Sequence, residues 1–291
     1  MIIAALALAA CSQTPTDNAS RESGESVAAS QGNATEPPAD GPAFDSVGDL
    51  TPPNELQTEL RGARVADPRN WPASFYTQSV GGSCTASIVG DRVLLTAAHC
   101  VANGAAVTLR KGGATYRAMC EHAPQYQGGS ASGITADYAL CALDRPVPGV
   151  PAERVNARAA ALKVNGEVLL TGFGCTTNQG TGGNDGVYRI GETTIKGLPA
   201  GTNNDITVSG GAGLCFGDSG GPAFLGEGRG RVQVSVNSRV ENRSPTGVDL
   251  GAKSYLSSLT SAQGSAFLSD WSKRNGLRIC GLDPQATTCR P

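Results

Sequence analysis

The chain has 291 residues, among them 39 glycines, 17 prolines and nine cysteines, with charged residues at only 16%. No apolar run reaches the roughly 18 residues that cross a bilayer, the glycines keep no three-residue period, no heptads appear, and the bases are not interleaved with aromatics. An integral channel, a collagen, a coiled coil and a nucleic-acid binder are thereby set aside, and the formal net charge of −2 divides unevenly: residues 12 to 60 hold nine acids against one base, residues 61 to 291 sixteen against 22.

The chain opens on an apolar stretch, Met1 to Cys11, of signal-peptide length and too short to span a membrane. Its end, Leu8-Ala-Ala-Cys11, resembles a bacterial lipobox, although no Lys or Arg precedes it. The resemblance implies that residues 1–10 are a signal peptide and that the mature chain begins at a lipidated Cys11. Residues 12 to 60 follow, with six prolines, one aromatic (Phe44) and no cysteine. So polar a segment buries too little apolar surface to offset the entropy of ordering it, and a disordered tether is predicted.

Nine cysteines is an odd number for an exported chain. With Cys11 on lipid, Cys84, Cys100, Cys120, Cys141, Cys175, Cys215, Cys280 and Cys289 remain, enough for four disulfides in an oxidising compartment. Zinc is the competing use of thiols, but the chain has no C-x2-C pair and only two histidines. No metal and no cofactor is expected. Which cysteine pairs with which is open from the count alone: eight allow many pairings, and the sequential one, Cys120 with Cys141, Cys175 with Cys215 and Cys280 with Cys289, is an expectation only.

Ser219 stands in a glycine-rich turn, Gly217-Asp-Ser-Gly-Gly-Pro222. Its G-x-S-x-G core also fits the elbow of the α/β-hydrolases, but there the histidine follows the serine, whereas His99 and His122 both precede Ser219. The order His, Asp, Ser is filled by His99 in Thr96-Ala-Ala-His-Cys100, Asp137 in Ala136-Asp-Tyr-Ala-Leu140, and Ser219. A serine hydroxyl is a weak nucleophile near neutrality and needs an adjacent base; His99 supplies one and Asp137 fixes its tautomer. His122, in Glu121-His-Ala-Pro124, reads as a surface turn. Farther on, Val232-Gln-Val-Ser-Val236 alternates as a half-buried strand does, and Phe267, Leu268 and Trp271 recur at helical spacing.

The T-A-A-H-C and G-D-S-G-G-P blocks, with A-D-Y-A-L between them, are similar to the signature blocks of the chymotrypsin-like (trypsin-like) serine proteases. Thr171-Gly-Phe-Gly174 resembles the T-G-W-G block of the same family, and the likeness runs over most of residues 65 to 275. It implies an all-β fold of two packed six-stranded antiparallel barrels with a short C-terminal α-helix. Residues 65–291 would be the protease domain, and residues 11–64 a lipid-anchored tether and propeptide. The implied activity is that of a serine endopeptidase, a monomer acting on peptide or protein substrates through an acyl-enzyme. A catalytically silent homologue acting as a binding module, or an esterase, is the alternative. The family further implies an oxyanion hole from the N–H groups of Gly217 and Ser219, and a disulfide between Cys84 and Cys100. It places Gly213 at the floor of the primary pocket and Gly247 on its wall, with Val240 where another wall glycine would be, and makes Ser238 a substrate-binding residue that hydrogen-bonds near Asp137. Gly213 points to an apolar or medium-sized P1 side chain, unless Asp249 supplies a displaced negative charge. The usual second-barrel bridge is missing, so Cys215 needs another partner.

Asp218 is the position that pairs with a newly cut N-terminus in this family, and Leu170 stands where cleavage-independent relatives carry Arg. Proteolytic activation follows as the expectation, at Arg64-Val65 or at Arg61-Gly62, ahead of the Trp71-Pro72 pair. The protein is then exported, either as an outer-membrane lipoprotein or as a periplasmic or extracellular enzyme once cut. Its membrane contact is through the lipid alone.

Overall fold

The computed structural model describes residues 41–50, 63–79, 82–128, 136–158, 161–175, 185–240 and 253–291. Cys11 and the rest of the signal stretch, most of the tether, Arg61, Gly247 and Asp249 lie outside them.

Among the described residues, fourteen strands make two closed barrels, and one α-helix follows them. The first contains β1 (Ala43–Ser46), β3 (Ser74–Ser79), β4 (Gly82–Gly90), β5 (Val93–Thr96), β6 (Ala106–Lys111), β7 (Ala114–His122) and β8 (Ala139–Leu143). It closes in the order β1-β3-β4-β5-β8-β7-β6. The second contains β2 (Arg64–Val65), β9 (Glu167–Gly172), β10 (Arg189–Gly197), β11 (Asp205–Ser209), β12 (Pro222–Leu225), β13 (Val232–Val240) and β14 (Ser254–Ser258). Its order is β11-β14-β13-β12-β9-β10-β2, closed by the pairing of β10 with β11. The helix, α1 (Ala262–Asn275), is capped by Ser261 Oγ, which accepts from Gly264 N–H at 3.0 Å, and stops at Gly276, whose φ of 61° lies in the left-handed region.

The all-β, two-barrel fold with a terminal helix is as anticipated, but each sheet holds seven strands rather than six. In the first barrel the extra strand comes from the stretch read as tether. β1 runs parallel to β6, with Phe44 opposite Leu109, and antiparallel to β3, with Asp45 opposite Tyr76. Phe44 is fully buried in the first-barrel core, and Val47, just beyond β1, packs with Trp71, Tyr76 and Phe224. The tether reading is therefore corrected for residues 43–50. Averaging the composition over residues 12 to 60 hid a short apolar patch that a neighbouring sheet edge can cover. In the second barrel, β2 pairs with the start of β10, Val65 opposite Arg189 and Arg64 opposite Ile190.

Each barrel has its own core, and two further clusters join them. One sets Leu95, Tyr138 and Leu140 of the first barrel against Val236 of the second and against Phe267, Leu268 and Trp271 of α1, all buried.

Strand register brings the site together. Thr96 pairs with Ala139 as β5 leaves and β8 enters the barrel, so His99, just after β5, and Asp137, just before β8, emerge at the same end. In the second barrel Pro222 pairs with Val236, which places Ser219, ahead of β12, beside Ser238, near the end of β13.

The candidate active site

His99 sits in a short 3-10 turn, Ala98–Cys100, that follows β5. The turn is fixed covalently, because Cys100 is bonded to Cys84 of β4. Asp137 is 4% exposed. One of its oxygens, Oδ1, accepts the backbone N–H of His99 at 3.0 Å; the other, Oδ2, accepts His99 Nδ1–H at 2.7 Å and the Ser238 hydroxyl at 2.6 Å. The Asp137 N–H in turn donates to Ser257 Oγ at 3.2 Å. Tyr138, fully buried and stacked on Phe267 at 5.6 Å, anchors the next residue.

Charge follows from these contacts. Burial alone disfavours the imidazolium of His99, but the hydrogen bond and the negative charge of Asp137 outweigh it, and the pKa stands above its ordinary 6.5. Burial likewise pushes Asp137 up, yet its bonds to His99 and Ser238 and the field of His99 hold it below the usual 3.8. Such a pair keeps the proton on Nδ1 and leaves Nε2 free to accept one.

Ser219 lies in the turn before β12. Its carbonyl accepts Thr85 N–H at 2.7 Å, and the next N–H, that of Gly220, donates to Asn237 carbonyl at 2.8 Å. Gly220 has φ +80°, and a Cβ there would stand 2.2 Å from the Thr85 carbonyl, so only glycine lets the serine approach the first barrel this closely. Asn237 Nδ2 donates to the Thr171 carbonyl at 2.9 Å and to that of Asp218 at 3.2 Å.

Asp218 is fully buried. Its Oδ1 accepts Gly174 N–H and its Oδ2 accepts Cys215 N–H, both at 2.8 Å. Burial pushes its pKa up to about 6, against the lowering by those two bonds and by the field of Arg189. In the uncut chain, then, backbone donors hold this carboxylate. Those donors also explain the T-G-F-G block, since a Cβ on Gly172 or Gly174 would fall 2.2 or 2.4 Å from the carboxylate oxygens.

Gly82, Ser83, His99, Ser219 and Ser238 line one open cavity of about 620 Å³, together with Leu214, Phe216, Gly217, Arg239 and Val240. Phe216 is 58% exposed at its rim. Gly213 is buried and does not line the cavity, while Gly247, expected on the wall, lies outside the described residues. His99 is also within metal-site distance of Cys84 and Cys100, but those sulfurs are bonded to each other and offer no thiolate. The sulfurs pair as Cys84–Cys100, Cys120–Cys141, Cys175–Cys215 and Cys280–Cys289. Cys215 thus finds its partner in the loop after T-G-F-G. His122 is apart from the site, its Nε2–H donating to the Val101 carbonyl at 2.9 Å and its ring edge-on to Tyr126.

Thr85, Ser257 and Asn237 were not singled out from the sequence. Each acts through a backbone group or a buried carboxylate, and an isolated Thr, Ser or Asn inside a strand carries no pattern that marks it. Chemically, the arrangement joins a hydroxyl, an imidazole oriented by a buried carboxylate, and a glycine-rich turn within one cleft. The model of the protein family described as Trypsin matches residues 60–257. No curated protein gives a significant match.

Proposed function

The chain belongs to the trypsin family, and from that membership we propose that it is a serine endopeptidase hydrolysing peptide bonds through an acyl-enzyme on Ser219. The observation that carries the reading is the 2.7 Å bond between His99 Nδ1 and the buried Asp137, in the same cavity as Ser219. His99 takes the proton of Ser219 as the hydroxyl attacks the carbonyl carbon, then delivers it to the departing amine. A water, deprotonated by the same imidazole, releases the acyl group. Asp137 keeps the imidazole in the right tautomer and offsets its charge. The N–H groups of Gly217 and Ser219 receive the oxyanion, each donor worth on the order of 3 to 4 kcal/mol of transition-state stabilisation.

Leu214, Phe216 and Val240 line the cavity, and this supports an apolar P1 side chain rather than Lys or Arg. Four disulfides in a domain of this family mark an exported or extracellular protein. The lipobox-like run ending at Cys11 supports attachment to a membrane through lipid; radiolabelled palmitate incorporated by the wild type and absent from Cys11→Ala is the check.

The decisive experiment digests a peptide library with the wild type and Ser219→Ala side by side, with a fluorophosphonate probe in parallel. Labelling and cleavage by the wild type alone, with apolar residues before the cut, is the expected result. Probe labelling without peptide cleavage would instead make the protein an esterase, and neither would make it a silent homologue.

A further inference from the structure

The turn at residues 215–219 is anchored at successive peptide groups in the uncut chain. Phe216 carbonyl accepts Cys175 N–H at 2.9 Å. A planar trans peptide directs its N–H opposite to its carbonyl, so the Gly217 N–H faces away from Cys175. Gly217, Ser219 and His99 line the cavity, and Cys175 does not. The following peptide is gripped at both ends: Gly217 carbonyl accepts Thr85 Oγ1–H at 2.9 Å, and Asp218 N–H donates to Cys215 carbonyl at 3.1 Å. The Cys175–Cys215 disulfide spans the same two segments. It binds the residue that holds the Phe216 carbonyl to the residue preceding Phe216.

Two further observations concern the segment upstream. Asp218 is already seated on Gly174 and Cys215 N–H, and the buried guanidinium of Arg189 adds its field. The Arg64–Val65 bond lies inside β2, paired to β10, with Arg64 ion-paired to Glu227 and Ala66 N–H donating to Tyr188 carbonyl at 2.9 Å. A cut there would undo sheet pairing at a site where the carboxylate it is meant to satisfy already has donors.

Resting on the reading of Ser219 as nucleophile, we propose that the uncut chain is catalytically competent, the Cys175–Cys215 clasp holding the oxyanion turn in place of a newly cut N-terminus. Cys175 and Cys215 are positioning residues, since neither reacts. The activation cut expected at Arg64 or Arg61 becomes dispensable.

The test uses the full chain carrying Arg61→Gln and Arg64→Gln, verified as a single intact chain by mass spectrometry. It should label with a fluorophosphonate and hydrolyse peptides at rates comparable to wild type deliberately cleaved after Arg64. In that background, replacing Cys175 and Cys215 together by Ala should lower kcat and the labelling rate by about 10²-fold, the loss that follows removal of one oxyanion donor, with KM little changed. The isosteric Thr85→Val, which frees the Gly217 carbonyl without touching the sulfurs, should give a loss of the same kind. If the uncuttable chain does not label while cleaved wild type does, the inference falls and the endopeptidase reading stands. If neither form labels, both fall. Labelling of the Cys175/Cys215 alanine pair as fast as its parent removes the clasp; should that pair not fold, unchanged labelling of the Cys175→Ser, Cys215→Ser pair removes it.

Discussion

In the proposed mechanism the chemistry of the cleft turns on Asp137: two of its hydrogen bonds go to His99, and a third, donated by Ser238, holds the same oxygen that faces the imidazole. Asp137→Asn keeps the shape but removes the charge that holds His99 above its ordinary 6.5. The proposed mechanism needs neutral His99, so the wild-type kcat/KM should fall as pH drops through that raised pKa. In Asp137→Asn the acid limb should move to lower pH, and kcat at its plateau should fall by on the order of 10⁴-fold; a pH–rate profile of both proteins checks the two shifts. Asp218 behaves in the opposite sense toward stability. Its folded pKa of about 6 lies above the ordinary 3.8, so its contribution is fully present below pH 3.8 and is lost as pH rises through about 6. Asp218→Asn should therefore flatten the pH dependence of the melting temperature across that window, while slowing Ser219 labelling because an amide oxygen accepts only one of the two N–H donors well. Both aspartates were legible in the sequence, since Asp218 adjoins Ser219 in the glycine-rich turn and Asp137 stands between His99 and Ser219 in the order the reading required. The direction of the Asp218 shift was not, because it is set by burial in the fold, which raises the pKa and outweighs the donors Cys215 and Gly174 that lower it, and Gly174 is distant from Asp218 in the chain.

At the scale of elements, β1 is the part the sequence concealed. Its four residues carry one large apolar side chain, Phe44, and the pairing partners Leu109 and Tyr76 lie far along the chain. A strand this short has no period to detect, and it is stable only because the edges of β3 and β6 are both there to receive it. The longer alternating run of β13 and the helical spacing of Phe267, Leu268 and Trp271 were legible for the converse reason: burial on one face repeats often enough to be read locally. The strand β1 also changes what an N-terminal truncation means. A chain beginning at residue 63 lacks β1 and exposes two sheet edges, whereas one beginning at residue 41 keeps it. The longer form should behave as wild type, and the shorter should lose solubility or cooperative unfolding. Phe44→Ala, which empties a fully buried site, should cost about 3 to 5 kcal/mol in the longer form, measured from its urea midpoint.

On the scale of the whole molecule, the two barrels must keep a fixed relation, since His99 and Asp137 come from one and Ser219 and Ser238 from the other. A buried ion network contributes to that relation. Glu153, in the segment between β8 and β9, accepts Arg231 Nε–H at 3.1 Å, is ion-paired with Arg231 at a second nitrogen, and lies 3.4 Å from Arg290 Nη1 near the C-terminus. The guanidinium of Arg231 stacks over Trp71 at 3.6 Å, and both arginines donate to the Asn70 carbonyl, at 2.9 and 3.0 Å. One carboxylate thus fastens the N-terminal loop, the inter-barrel segment, the start of β13 and the disulfide-closed tail. Glu153 is fully buried and Arg231 1% exposed, so removing the shared anion leaves a guanidinium without its counter-charge in the interior. Glu153→Gln should therefore destabilise the protein by about 3 to 5 kcal/mol, the cost typical of breaking a buried pair from one side. Arg290→Gln, at the more exposed end, should cost much less. None of these side chains lines the cavity at Ser219, so Ser219 labelling per folded molecule should be unchanged in both variants at a temperature where each is native. A fall in labelling without a fall in urea midpoint would show instead that the network sets the geometry of the cleft and not merely the stability of the assembly around it.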